Sequence, residues 1–507
     1  MIQKVLLTFL ALTLLHLFSP AQRIFYSEPE KDDVRSIDFD IIGKLNNQYL
    51  VYKQVRNSHA ISVYDNSMKL LERVNMDFLP DKLINSDIIA YKDFFYFVYQ
   101  YQKKNVIRCM AARIDANGKI MGDPIVLDTT AISFFASNKV YNVLYSEDKQ
   151  RIAVYKLNNK GDQQYVFSCS LFDDSLAHLS SYTAFIPMEQ HNDFLTEFSL
   201  ANDGTIVFVK ASGNSQNSNL ENLALMVKEP EAERIFSYPL DIGNIFLDNI
   251  RVKVDNKRNH FVVSAFYSKQ KRGNIDGLYC AVWDETDTSL IAAKQVPFND
   301  ELKSNAKSEG SSRSAFNDYF LQNIFVRKDG GFAIAAESAY TSSRGVYNSR
   351  WDYMYNSPYW YNSNSYLYGS PYSYYYPWTS PYGYGSQSTR YYADNIAVIA
   401  FDSTATMEWA SIIPKSQYDD NSDNFIGYGI YIGAGQVNFL FNQFERRTLL
   451  LQAESIDPNG KAVLAPTLKE LDRGYQFMPR YAKQVSSHEV LLPCQYRSYL
   501  CFAKIDF

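Results

Sequence analysis

The residues that could do chemistry are sparse and scattered. Past the N-terminal segment the histidines are His59, His178, His191, His260 and His488. No HExxH pair occurs, and no cysteine or histidine stands at zinc-site spacing. The simplest reading is surface or strand histidines. The stretch "DDNSDN", Asp419 to Asn424, starts like a calcium loop with oxygen ligands at alternate positions. It lacks the glycine at the sixth position and the glutamate at the twelfth, so it reads as a polar connection. There is no GxSxG elbow and no glycine-rich phosphate loop ending in Lys-Ser or Lys-Thr. Carboxylates number 55, so pairs arise by chance. An acid/base dyad can be named only once it is known which strand ends meet. No catalytic residue, metal or cofactor is therefore assigned.

The chemistry-bearing feature is aromatic. "YNSPYWYNSNSYLYGSPYSYYYPWTSPYGYG", Tyr355 to Gly385, has eleven tyrosines in 31 residues. Tyrosine and tryptophan combine a large contact area with a polar tip, which suits recognition surfaces. Tyr with Ser, Gly and Asn is also the composition of adaptable antibody loops. The candidate binding residues are Tyr355, Tyr359, Trp360, Tyr361, Tyr374, Tyr375, Tyr376 and Trp378. Stacking on sugar faces is the alternative, and a sticky low-complexity insertion without a specific partner is the bland reading. Pro358, Pro371, Pro377 and Pro381 discourage β pairing along the segment.

What must position this segment follows from a repeat. An alternating apolar strand ends in aspartate, turns, and continues as another strand. The markers are Asp65, Asp115, Asp173, Asp284, Asp402 and Asp457, with Glu229 in a degenerate copy and Asp506 in a final one. The aspartate can accept from N–H groups two residues on and start the turn. Asn-Gly in "DANGK" and "DPNGK" supplies the positive φ of a tight hairpin. Two more strands precede each marker, for example "QYLVYKQ", "FFYFVYQYQ" and "TIVFVKA". Four-stranded units recurring in this way predict an all-β β-propeller of eight antiparallel blades, with seven as the alternative count. An even period argues against two stacked sandwiches. The last unit stops after its third strand, and "RIFYSEP", Arg23 to Pro29, is expected to supply the fourth and close the ring. The expected layout is one domain over residues 22–507. The Tyr-rich loop, residues 339–393, is inserted between the second and third strands of blade 6, on the face that commonly carries ligands. The charged stretch Asp300–Ser314 is expected to be a solvated loop rather than a short helix.

The marker hairpins "IDANGK" (Ile114–Lys119), "IDPNGK" (Ile456–Lys461) and "FDSTATMEW" (Phe401–Trp409) resemble those of quinoprotein-like propellers, whose repeats carry an Asp, a Gly-Lys turn and a Trp. The eight-bladed scaffold lipoprotein of the outer-membrane assembly machinery has that shape. Trp409 stands where the docking tryptophan would be. Quinone binding does not carry over, and the lipid-attachment cysteine is absent. Composition also resembles that of exported proteins of Bacteroidota.

Bulk properties fit an exported protein. Lys4, the apolar run Val5 to Phe18, and Ser19 and Ala21 before Gln22 read as a cleaved secretory signal over residues 1–21. No later run of 18 apolar residues occurs, so no transmembrane segment is expected after cleavage. A net charge of −5 without a basic cluster argues against nucleic acid. The five cysteines do not form a disulfide framework. Cys494 and Cys501 flank a hairpin turn at Arg497-Ser498 and should face each other. A disulfide there suits an oxidising compartment, although cross-strand geometry strains such bonds. The expected function is a non-catalytic protein-binding scaffold, periplasmic or outer-membrane-associated rather than released. Its partner would be an envelope protein, such as an outer-membrane protein or assembly complex. A glycan-binding or glycan-active protein is the alternative.

Overall fold

The computed structural model describes residues 23–30, 37–132, 139–159, 164–188, 193–213, 219–307, 314–343, 346–347, 389–420, 422–445, 448–464, 474–497 and 499–507. Among these the chain is built of antiparallel strands. Blade 1 comprises Ile37–Leu45, Gln48–Val55, Ser58–Tyr64 and Leu70–Asn75, paired in that order. Blade 2 comprises Asn85–Ala90, Phe94–Lys103, Val106–Asp115 and Ile125–Ala131. Blade 3 comprises Tyr141–Tyr145, Arg151–Asn159, Gln164–Asp173 and His178–Pro187. Blades 4 and 5 begin at Asp193–Leu200 and Phe246–Asp255, and a single residue pair, Leu220↔Leu247, joins their sheets. Blade 6 comprises Tyr319–Val326, Phe332–Ser343, Thr389–Phe401 and Met407–Asp420. Blade 7 runs from Tyr428–Gly433 to Ala462–Leu464.

The eighth unit joins the two ends of the described chain. Arg23–Tyr26 pairs antiparallel with Tyr499–Asp506, from Arg23↔Asp506 to Tyr26↔Ala503. Tyr499–Asp506 pairs in turn with Glu489–Tyr496. The first strand of this blade is broken: Tyr475–Phe477 and Lys483–Gln484 both pair with Glu489–Tyr496, and a 3-10 turn at Pro479–Tyr481 separates them. The expected closure strand and the eight four-stranded units are thus both present among the described residues.

Packing closes the ring. Each pair of neighbouring blades buries its own apolar cluster. Tyr52 and Ile61 of blade 1 pack with Phe95 and Phe97 of blade 2. Ile107 and Cys109 of blade 2 meet Tyr141 and Ile152 of blade 3. Tyr155 and Phe167 of blade 3 meet Phe198 and Phe208 of blade 4. Equivalent clusters join blades 4 and 5, 5 and 6, and 6 and 7. Leu451 meets Phe477 and Leu492 between blades 7 and 8. Ile41, Tyr49 and Tyr64 of blade 1 pack on Leu491 and Phe502 of blade 8. Inner strands are therefore covered on both faces and read as nearly continuous apolar runs, as in "FFYFVYQYQK". Outer strands are covered on one face at most, and Leu70–Asn75 is almost wholly exposed.

All six marker aspartates act as expected. Asp65 Oδ1 accepts from the backbone N–H of Ser67 and Lys69 at 2.8 and 2.9 Å. Asp115, Asp173, Asp402 and Asp457 repeat both bonds, to the second and fourth residues on. Asp284 bonds the second and third instead.

The expectation of a solvated loop after Asp300 is corrected: Asp300–Ala306 is a helix. Asn299 caps it by accepting from Leu302 N at 2.8 Å, and Asp300 and Glu301 sit in the first turn, where the helix dipole favours negative charge. Leu302 and Ala306 are buried in the cluster between blades 5 and 6. Tertiary burial of two residues holds a helix too short to be stable alone.

Candidate functional site

The expected binding residues Tyr355, Tyr359, Trp360, Tyr361, Tyr374, Tyr375, Tyr376 and Trp378 lie outside the described residues. The structure does describe what carries them. The second and third strands of blade 6 pair from Phe332↔Phe401 to Ser343↔Thr389. The third and fourth pair from Phe401↔Met407 to Arg390↔Asp420. These strands have 12, 13 and 14 residues. Residues 339–343 and 389–393, placed in the insertion by sequence, belong to these strands: after a register shift they pair again, from Ala339↔Ala393 to Ser343↔Thr389.

The three strands change character at one level. Register shifts occur at Glu337/Ala339 and at Asp394/Ile396, on facing strands. Bulges bend and twist a strand locally. Below them the strands belong to the blade; beyond them they form a three-stranded arm.

A buried polar network fills the base of the arm. Lys415 Nζ lies 2.7 Å from Glu337 Oε1, and neither side chain is exposed. Lys415 also donates to Ala393 O at 2.8 Å and to Gln417 Oε1 at 2.9 Å. Gln322 Nε2 donates to Glu337 Oε2 at 2.8 Å. Gln417 Nε2 donates to Asn442 O at 2.6 Å, and Asn442 Nδ2 donates to Phe477 O at 2.7 Å. The network therefore links blades 6, 7 and 8. Burial pushes the Lys415 ammonium below its usual range, and Glu337 opposes that shift.

Above the network the arm is aromatic. Tyr340 and Tyr392 stack across the strands with centroids 4.5 Å apart and planes 10° from parallel. Tyr340 Oη donates to Asp394 Oδ2 at 3.0 Å. Burial raises the Asp394 carboxyl, and the Tyr340 bond opposes it. Arg390 grips Asp420 through two bonds of 2.7 and 3.1 Å and lies over the Tyr418 ring at 4.5 Å.

Of the calcium-like segment, Asp419 and Asp420 end the last strand of blade 6, and residue 421 lies outside the described residues. Asp420 faces Arg390, Asp419 accepts from Ser422 Oγ at 2.7 Å, and Asp423 pairs with Arg480 of blade 8. Burial raises Asp419 to about 6. The carboxylates point to different partners. Among the described residues no three metal-ligating side chains come together.

The first strands of several neighbouring blades touch one another, those of blades 8 and 1 among them, and in a propeller such inner strands surround the axis. Here Asp38 and Asp40 of blade 1 lie on one face of a strand. Burial raises the Asp38 carboxyl to about 7, and Asp40 adds to the shift. Lys483 of blade 8 donates to Ile41 O at 2.7 Å, and Lys149 of blade 3 to Ala90 O at 2.5 Å. Burial lowers Lys483 to about 8, with Asp40 opposing the shift and Lys149 adding to it. Charges from blades 8, 1 and 3 thus converge, and backbone carbonyls hold both ammonium groups. Neither the arm network nor this axial set was named from sequence. A lysine and a glutamate inside otherwise apolar strands, "SIIPKSQ" and "FAIAAES", are the signal that could have found the network.

This is a propeller-type ring with one blade drawn out into an arm. No family model matches the chain, and no curated protein matches it. Solved structures similar to it include propeller-like hydrolases and lyases. A prolyl endopeptidase is 9% identical over 92% of this chain and 55% of its own, with a TM-score of 0.41. A family PL25 ulvan lyase is 10% identical over 82% of this chain and 90% of its own, with a TM-score of 0.35. A Dyadobacter fermentans protein is 9% identical over 96% of this chain and all of its own, with a TM-score of 0.31. The chain spans about half the length of the prolyl peptidase it matches. Among the described residues no helix is long and apolar enough to cross a membrane.

Proposed function

We propose that the protein is a scaffold of the cell envelope whose sixth blade presents the Tyr-rich segment to an envelope protein. The observation that supports this most is the arm. Three paired strands continue past the blade, and their base is tied to blades 7 and 8 by the Glu337–Lys415–Gln417–Asn442 network. A rigid base lowers the ordering cost of whatever the strand ends present. The residues at those ends, Tyr340, Tyr392, Tyr418 and Arg390, are of the types enriched at protein interfaces.

The test compares the full chain with a variant in which residues 344–388 are replaced by a short Gly-Ser turn. Both are crosslinked in envelope fractions, and the captured protein is identified, purified and titrated against each form. Binding is expected to drop at least tenfold in the variant while the circular dichroism of the ring is unchanged. Equal binding by both forms would overturn the assignment to the arm.

A second reading, an activity on glycans at the axis, is favoured by the Asp38–Asp40 pair beside Lys483. Asp38 keeps its proton to about pH 7, as a general acid requires. Turnover of a polysaccharide panel by the wild type, abolished in Asp40→Asn, would establish it. A panel that is neither bound nor cleaved would remove it.

A further inference from the structure

Cys494 and Cys501 occupy facing positions in the closing hairpin, in the register Cys494↔Cys501. Their Sγ atoms lie 2.9 Å apart, and both residues are fully buried as thiols. The other three cysteines, Cys109, Cys169 and Cys280, sit in blades 2, 3 and 5, away from this pair. On its other edge the Tyr499–Asp506 strand carries Arg23–Tyr26, the four-residue strand that completes the ring.

We propose that Cys494 and Cys501 are oxidised to a cross-strand disulfide during folding, and that this bond fixes the register of the hairpin on which Arg23–Tyr26 docks. The oxidant is a disulfide, such as oxidised glutathione or a dithiol oxidase in its oxidised form. The thiolate of one cysteine attacks a sulfur of the oxidant and releases one thiol, giving a mixed disulfide. The second cysteine thiolate attacks the protein sulfur of that mixed disulfide and releases the other thiol. Two protein thiols lose two electrons and two protons, and the oxidant's disulfide gains them. Full burial keeps an oxidant from the folded pair, so the bond forms before blade 8 packs against blades 7 and 1. A short, four-residue closing strand gains from a partner whose register is already set.

The experiment uses the full chain refolded with oxidised glutathione, acid-quenched, denatured without reductant and alkylated. Three alkylated thiols are expected of the five cysteines. Trypsin cuts after Arg497, between the two cysteines, so the two resulting peptides are expected to stay joined until reductant is added. Five alkylated thiols, or a bond joining either residue to Cys109, Cys169 or Cys280, would overturn the proposal. The folded, oxidised protein is further expected to resist dithiothreitol until denaturant is added. Rapid reduction of the native form would show that the bond is not part of the buried blade.

Discussion

Trp409 of blade 6 docks on Gly460 of blade 7. Its indole Nε1 donates to Pro458 O at 3.0 Å, and a Cβ on Gly460 would stand 2.5 Å from its Cδ2. The marker turn of one blade is thus clamped against the outer strand of the blade before it, at the position expected from the Asp, Gly-Lys and Trp pattern.

Gly460 has a φ of +81°, so alanine there meets both backbone strain and the tryptophan ring. Gly460→Ala is expected to cost about 2 kcal/mol or more. Trp409→Phe keeps an aromatic ring but loses the donor and part of the indole's contact with Gly460, at about 1 kcal/mol or more. Urea denaturation midpoints check both. An unchanged midpoint in Gly460→Ala would mean that this contact bears no weight.

The Glu337–Lys415 pair is fully buried, so removing one partner strands a charge. Lys415→Met alone is expected to cost about 3–5 kcal/mol. The double variant Glu337→Gln, Lys415→Met leaves an acceptor for Gln322 and no buried charge, and should recover more than half of that loss. A double-mutant cycle in guanidinium reads the coupling. Additive losses would contradict a direct pair.

Asp38 sets a pH dependence. Its carboxyl keeps its proton to about pH 7 when folded, against an ordinary value of 3.8. Between those values the folded state binds more protons than the unfolded one, so stability falls as pH rises. The contribution is fully present below 3.8 and lost above about 7. Glu285, raised to about 7 by burial and by Asp203, acts with the same sign. Asp38→Asn should therefore gain stability relative to wild type as pH goes from 4 to 8, measured by thermal midpoints. Parallel curves for the two proteins would refute this.

The marker turns can be tested singly. Asp115→Ala removes the acceptor of the Asn117 and Lys119 N–H groups and should cost about 1–2 kcal/mol. Asp115→Asn retains an acceptor oxygen and should lose less than half as much. Equal losses in denaturant titrations would show that charge, not hydrogen bonding, sets the turn.

The sequence alone determined the ring. Asp65 and its five counterparts fix the turns through bonds spanning two to four residues, so they are legible locally. The alternating strands around them fix which faces are buried, and "RIFYSEP" was readable as the missing strand by counting. Local chemistry does not show which distant residues meet. Asp300–Ala306 is helical because Leu302 and Ala306 find a pocket between blades 5 and 6, which no window of sequence contains. Glu337 and Lys415 are 78 positions apart and meet only because two strands of blade 6 bulge at one level. Asp40, Lys149 and Lys483 converge only because closure brings blades 8, 1 and 3 together. Turns and strand faces are set by neighbours in the chain, whereas buried charge is set by neighbours in space.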